Sequence, residues 1–325
     1  MAACRICNNE SNNTFYELKE LMYGTGKRFT YFQCSNCDCL QIEKLPEDIA
    51  KYYPEDYYSF SETPNIINSN IKKFLLYHRY RQCLFGGDLL GKVLLPFLKK
   101  SPELEMMKKA GIKEEMSVLD VGCGSGLVLH LMSLAGMKKL VGIDPYIKHD
   151  IHYNDELSIL KKDIYEMEGK WDFIFVNHVL EHIDDQQKFF NEVYKKLDAN
   201  GTCLVRIPTC SSYAWEYYRE NWIQSDPPRH FYIHSIESIQ QLIASSNLKI
   251  KEIIYDSTAF QFIGSEQAMK GIHLNSNESY IKNKEASVFS NKEIQLFDKK
   301  AAELNKKMRG DQIAVVITHK SANEL

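Results

Sequence analysis

The sequence shows little imbalance of charge: 40 basic residues face 43 acidic ones, a formal net charge of -3. Nucleic-acid binders concentrate basic charge in a patch or stripe, so this balance argues against DNA or RNA as the partner. No stretch of about 18 uncharged apolar residues occurs, which predicts no membrane span. A charged segment followed by an apolar run is missing at the N-terminus, so a cytoplasmic location is expected. Internal repeats and low-complexity runs are also missing. With 44% hydrophobic and 26% charged residues, the 325-residue chain has ordinary globular proportions, enough for one large α/β domain and a smaller unit.

Cysteine, by contrast, is plentiful: nine residues, an odd number, clustered towards the start. Without a secretory leader, that pattern favours reduced thiols and a metal over disulfides. Cys4-x2-Cys7-x26-Cys34-x2-Cys37 forms two knuckles whose four thiolates suit a structural zinc, with Cys39 able to replace a neighbour. A four-thiolate site has no open position, so the metal is expected to fold the module and take no part in chemistry. Between the knuckles, Phe15 to Phe32 reads as a hairpin turning at Gly24-Thr25-Gly26.

Residues 1–45 are therefore read as a zinc-binding β module and residues 46–110 as a helical connector or lid. The connector has a helical pattern from Ile71 to Cys83 and breaks at Pro54, Pro64, Pro96 and Pro102. After Gly111 apolar strands alternate with amphipathic helices. Ser117–Val121, Lys139–Ile143, Trp171–Val176 and Thr202–Ile207 read as strands, and Leu127–Ala135 and Gln186–Leu197 as helices. Lys249–Tyr255 and Gln312–Thr318 complete the set. The fold class predicted for residues 111–325 is a doubly wound, Rossmann-like α/β sheet with insertions at 209–234 and 262–309.

The strand at Val118 runs through Asp120 into Gly122-Cys123-Gly124-Ser125-Gly126 and a helix, which puts a ligand at the carboxyl end of the sheet. The spacing is G-x-G-x-G, not the dinucleotide G-x-G-x-x-G, and Asp120 would repel a pyrophosphate. S-adenosylmethionine carries a sulfonium and an ammonium and no phosphate, so it matches this acid-flanked loop. Asp144-Pro145 follows Gly126 by 18 positions, where a carboxylate can accept both ribose hydroxyls. Asp163, 19 positions further on, is placed to accept the adenine amino proton, with the Ile164 backbone against the ring. Turn or loop roles for both aspartates are the competing readings.

These segments, VLDVGCGSG, GIDP, KKDI and FIFVNHVLEHI, resemble in order and spacing the four motifs of the class I S-adenosylmethionine-dependent methyltransferases, over about residues 111–325. The resemblance implies a seven-stranded sheet whose last strand is antiparallel, with Asn177 and His178 lining the cofactor's methionine side. Similar Cys-rich modules precede the domain in bacterial deoxysugar methyltransferases and in some ribosomal-RNA guanine methyltransferases. His178-x-x-Glu181-His182 also matches the H-x-x-E-H of inverted zinc proteases. That motif needs a long helix, whereas here a strand leads into it.

Methyl transfer to a hydroxyl needs alignment and a base, for which His178, His182 and His230 are the candidates at the sheet edge. His230 is preferred, because Pro227-Pro228 stiffens its loop and Arg229 offers a cation to an acidic substrate group. The aromatic run Tyr213–Tyr232 suits either stacking on a sugar or packing. DPPRHFYIHS and the region Phe260–Gln267 look like bacterial surface-glycan methyltransferases. The chain stops soon after its last strand, without the extra domain of sugar C-methyltransferases, so O-methylation is expected. Three functions stay open: O-methylation of a glycan or small molecule, RNA methylation with the zinc module as grip, and a non-catalytic scaffold. The sequence leaves the oligomeric state open.

Overall fold

The continuous apolar runs of the second half become buried parallel strands, because each must be covered on both faces. In the computed structural model, which describes residues 2–53, 69–94, 101–285 and 287–321, β1 (Thr14–Lys19), β2 (Arg28–Gln33) and β3 (Leu40–Ile42) precede α1 (Asn70–Leu84), α2 (Leu89–Leu94) and α3 (Pro102–Lys109). Then follow β4 (Val118–Val121), α4 (Leu127–Leu134), β5 (Leu140–Ile143), β6 (Ile151–Asn154), β7 (Leu157–Leu160), β8 (Trp171–Asn177), α5 (Gln186–Lys196) and β9 (Leu197–Pro208). The rest comprises α6 (Tyr213–Tyr218), β10 (Tyr232–Ile233), α7 (Ile236–Ala244), β11 (Leu248–Tyr255), α8 (Phe260–Met269), α9 (Asn291–Lys306) and β12 (Gln312–His319). Pro102 opens α3, where its missing N–H costs nothing. The breaks expected at Pro54, Pro64 and Pro96 lie outside the described residues.

The large sheet runs β11-β12-β9-β8-β4-β5-β7-β6. Its centre is parallel, and β12 is antiparallel to both β9 and β11. The expected antiparallel last strand is present, but the count of seven is corrected to eight. The extra strand, β6, folds back antiparallel on β7 at the edge. It was missed because only Ile151 and Tyr153 of its four residues are even half-buried, too short an alternation to announce a strand.

Side-chain alternation divides the core. Phe173 and Phe175 face Leu104, Met107, Leu129 and Met132, whereas Ile174 and Val176 face Phe189, Phe190, Ile239 and Leu242. A second sheet, β1-β2-β3-β10, joins the N-terminal hairpin to a strand over 200 positions later. Around it Leu18, Tyr31, Phe32, Trp215, Trp222 and Phe262 form a third core, so the module and the segment after β9 pack as one body.

Candidate functional site

Strands β4, β5, β7 and β8 run parallel, so their carboxyl ends open on one edge, and the residues following them meet there. The loop after β4 approaches its neighbours too closely for side chains. A Cβ on Gly122, whose φ is +71°, would lie 2.4 Å from Val179 Cγ2, and one on Gly126 (φ +80°) 2.4 Å from Ile159 Cδ1. Cys123 is half-buried beside them. Asp144 reaches across from β5: its Oδ2 accepts from the Gly124 amide at 3.0 Å and its Oδ1 from the Tyr146 amide at 2.8 Å. These bonds orient the carboxylate and leave lone pairs for further donors. Pro145 and Tyr146 stand exposed behind it.

Asp120 is buried, and desolvation, then the Asp144 charge, push its pKa well above the usual carboxylate range. A cation beside it would restore its charge. Asp163 caps a short helical turn, Oδ1 accepting from the amides of Tyr165 and Glu166 at 2.8 and 3.1 Å, while Ile164 points into the core. Asn177 ends β8 and its Oδ1 accepts from Arg206 Nη1 at 3.1 Å.

His178, at φ +53°, turns the chain sharply out of β8, and only a short turn, Leu180–His182, follows. The long helix a zinc-protease motif needs is therefore replaced by strand and turn. Hydrogen-bond partners fix the histidine tautomers. Arg206 Nη1 can only donate, so His178 Nε2, 3.4 Å away, accepts, and His178 Nδ1 donates to Glu181 Oε1 at 3.2 Å. His182 Nδ1 lies 2.8 Å from the Arg229 carbonyl and His230 Nδ1 2.9 Å from the Gln224 carbonyl; carbonyls only accept, so both Nδ1 atoms carry the proton. Among the described residues neither Nε2 has a hydrogen-bond partner, in rings whose centres are 4.8 Å apart, and His230 Nε2 lies 3.9 Å from both Glu181 Oε1 and Asp226 Oδ2. Burial, then the neighbouring His182, lowers the His230 pKa to about 4, so it is neutral near pH 7.

Sequence reasoning passed over Glu181 as a site residue in its own right. It is 1% exposed; burial would raise its pKa, but the His178 hydrogen bond and nearby histidines hold it down to about 2. Its Oε2 has no hydrogen-bond partner among the described residues. Tyr53 and Tyr146 were also missed: their rings stack 6.4 Å apart, and the Tyr53 hydroxyl lies 3.1 Å from His182 Nδ1, linking the Asp144 side to the histidine pair. No local pattern pointed to either. Tyr31 donates to the His230 carbonyl at 2.6 Å from the N-terminal sheet.

One reading of this loop is corrected and one left open by the sequence is decided. Arg229 does not face a substrate: it is 1% exposed, and its guanidinium is taken by both oxygens of Asp226, by Glu20 Oε1 at 3.0 Å and by the Tyr52 carbonyl at 3.1 Å. The aromatic run packs instead of offering a stacking face, with Trp215, Tyr218, Trp222, Phe231 and Tyr232 buried and Tyr217 exposed.

The four cysteine sulfurs of Cys4, Cys7, Cys34 and Cys37 lie within 4.8 Å of one another, and Cys39 stands outside that group. The Cys4–Cys37 and Cys7–Cys34 sulfurs are each 3.5 Å apart, far longer than a disulfide. A tetrahedron with bonds of about 2.3 Å has edges of roughly 3.8 Å, which this cluster fits. Gln41 Nε2 donates to Cys4 Sγ at 2.9 Å, and the Ile6 and Asn36 amides donate to Cys4 and Cys34 at 3.4 Å, stabilising thiolates.

Comparison with known proteins gives the family of the chain. A family model described as a methyltransferase domain matches residues 90–253. Malonyl-[acyl-carrier protein] O-methyltransferase 1 of Ilyobacter polytropus is 27% identical over 187 residues, 53% of this chain and 69% of that protein. Ribosomal protein L11 methyltransferase of Aquifex aeolicus is 35% identical over 177 residues, 49% of this chain and 70% of that protein. Among solved structures, the O-methyltransferase from a trans-AT PKS multienzyme of Brevibacillus brevis, in complex with S-adenosyl-L-homocysteine, is 16% identical with a TM-score of 0.41. That match covers 74% of this chain and 79% of that one.

Proposed function

Because the chain belongs to the methyltransferase-domain family and is an S-adenosylmethionine-dependent methyltransferase, we propose that it methylates a hydroxyl of a sugar, glycan or related small molecule. In this reading Asp120, Gly122, Cys123, Gly124 and Gly126 hold the methionine end of the cofactor with Asn177 and His178. Asp144 and Pro145 take the ribose, and Asp163 and Ile164 the adenine. The acceptor oxygen attacks the methyl carbon in line, the carbon–sulfur bond breaks with its electron pair passing to sulfur, and S-adenosylhomocysteine leaves.

The observation that carries the reading is the pair of Nε2 atoms on His182 and His230, without a hydrogen-bond partner among the described residues while each Nδ1 is held by a carbonyl. The hydroxyl proton passes to His230, as the sequence suggested; His178 has both nitrogens engaged and acts as a positioning residue. Tyr53, stacked on Tyr146, sets an aromatic ring 6.2 Å from that of His182, and the O-methyltransferase relative supports oxygen as the atom methylated. Cys4, Cys7, Cys34 and Cys37 hold a zinc that fixes the module's fold.

Transfer of labelled methyl from S-adenosylmethionine to fractionated glycans, nucleotide-sugars and bulk RNA tests the proposal. We expect label in a hydroxyl-bearing small molecule and negligible RNA binding at physiological salt. His230→Ala should slow transfer by about 10²- to 10⁴-fold while cofactor affinity stays unchanged. Label in RNA, or transfer indifferent to His230, refutes it.

A further inference from the structure

Glu181, His182 and His230 form a cluster that a base alone does not account for. Glu181 Oε2 is a carboxylate oxygen, fully buried and without a hydrogen-bond partner among the described residues. Such an oxygen is expensive unless something positive meets it. The nearby guanidinium of Arg229 is already shared between Glu20 and Asp226, both buried, and His178 Nδ1 bonds the other Glu181 oxygen. This corner of the molecule therefore buries more negative charge than positive.

The side chains beside that carboxylate are metal ligands in form, with His230 Nε2 3.9 Å from Glu181 Oε1. One ligand atom from each of Glu181, His182 and His230 lies within 4.8 Å of the others. Both histidines donate Nδ1–H to a backbone carbonyl, the arrangement that orients imidazole and raises the basicity of Nε2 in metal sites. His178 likewise braces the other Glu181 oxygen. A cation at about 2.1 Å from each ligand needs ligand-to-ligand edges of roughly 3.0 to 3.4 Å, a contraction of up to roughly 1.4 to 1.8 Å for side chains that share one short turn and one loop.

We propose that Glu181, His182 and His230 bind a divalent first-row transition-metal cation through the Glu181 carboxylate and the two Nε2 atoms, on the sheet edge beside the cofactor loop and separate from the cysteine site. Two nitrogens and one carboxylate leave coordination positions open. The consequence for chemistry rests on the O-methyltransferase reading and divides one of its roles: in the cation-free protein His230 is the base, whereas a cation held here would use the His230 lone pair and would itself lower the pKa of an acceptor hydroxyl at an open position, whose proton would pass to water.

Mn2+ is the probe, because it suits nitrogen and oxygen ligands and does not displace zinc from four thiolates. Titration of the full zinc-loaded chain in the presence of S-adenosylhomocysteine, followed by electron paramagnetic resonance, should show one Mn2+ bound per chain. Glu181→Gln, nearly isosteric, should weaken it at least tenfold, the scale on which even outer partners of a metal site act. His230→Asn should do the same, and retained S-adenosylhomocysteine binding certifies each variant as folded. Absent saturable binding, or binding that neither folded variant alters, overturns the site. Neither readout needs an acceptor. Mn2+ bound without methyl reaching any hydroxyl sinks the O-methyltransferase reading and leaves the cation site; methyl transfer without Mn2+ binding does the reverse.

Discussion

The glycine loop and the histidine corner share one sheet edge but are built by opposite means. The loop is local: Asp120 to Gly126 is one strand-to-turn segment, and its partner Asp144 is 20 positions from the Gly124 it grips. The corner is assembled from afar. The His230 carbonyl is held by Tyr31, 199 positions away, and Arg229 reaches Glu20 across 209 positions. Arg5 bridges the Ile42 carbonyl and the Tyr232 hydroxyl, and Ser235 donates to the Cys37 carbonyl. On the proposed reading the cofactor pocket is thus set by one stretch of backbone, whereas the reacting end depends on the N-terminal module being folded.

Breaking that module should therefore give the largest effect, and a lopsided one. Small zinc modules draw about 10 to 16 kcal/mol of folding free energy from their metal. We expect Cys34→Ser, or stripping with a strong chelator, to unfold residues 2–45 and abolish methyl transfer, while S-adenosylhomocysteine binding measured by calorimetry survives within a few-fold. Loss of both together would mean that the two regions fold as one unit.

Next comes the buried ion group. Arg229→Met leaves Glu20 and Asp226 without their countercharge, and breaking a buried pair in this way costs about 3 to 5 kcal/mol. Burial by itself would raise the Asp226 pKa, but Arg229 holds it below the usual range, so the lost charge is felt there directly. Thermal unfolding should show the drop. Arg229→Lys should recover only part of it, because an ammonium cannot serve Asp226, Glu20 and the Tyr52 carbonyl at once.

The same contrast explains what could be read from sequence. The central strands, the glycine loop and the acidic residue after β5 were legible because apolar periodicity and turn chemistry are local signals. Arg229, read as a substrate cation, has partners that no local pattern names. The Trp215 and Trp222 aromatics, ambiguous in sequence, are core because the hairpin Thr14–Gln33 packs on them. Glu181 sat inside a motif considered only for its histidines, and its unpaired oxygen is visible only when every neighbour is placed.

On the loop side the effects are smaller and confined to the cofactor. Asp144→Ala removes an acceptor that Gly124 and Tyr146 orient, and should weaken S-adenosylmethionine by about 1 to 3 kcal/mol with unfolding barely altered. Unaltered affinity would take Asp144 out of the site. Asp120 supplies a pH test. Its pKa in the free protein is raised by burial, so a ligand cation that needs it ionised must drive its proton off. Binding should release a proton, and affinity should rise with pH through the raised pKa. Calorimetry in buffers of different ionisation enthalpy measures that release, and none is expected for Asp120→Asn.

The smallest expected effect separates two duties of one residue. Asp163 caps the turn Ile164–Glu166, and losing such a cap costs about 1 kcal/mol. Asn caps nearly as well as Asp but carries no charge, so Asp163→Asn should keep stability close to that of the parent while Asp163→Ala loses it. Because Oδ1 already serves Tyr165 and Glu166, an adenine amino group would have to be taken by Oδ2, the position an amide fills with its donor nitrogen. Asp163→Asn should then weaken cofactor binding with stability intact. Equal affinities for Asp163→Asn and the parent protein would reduce Asp163 to a cap and leave adenine to the Ile164 backbone.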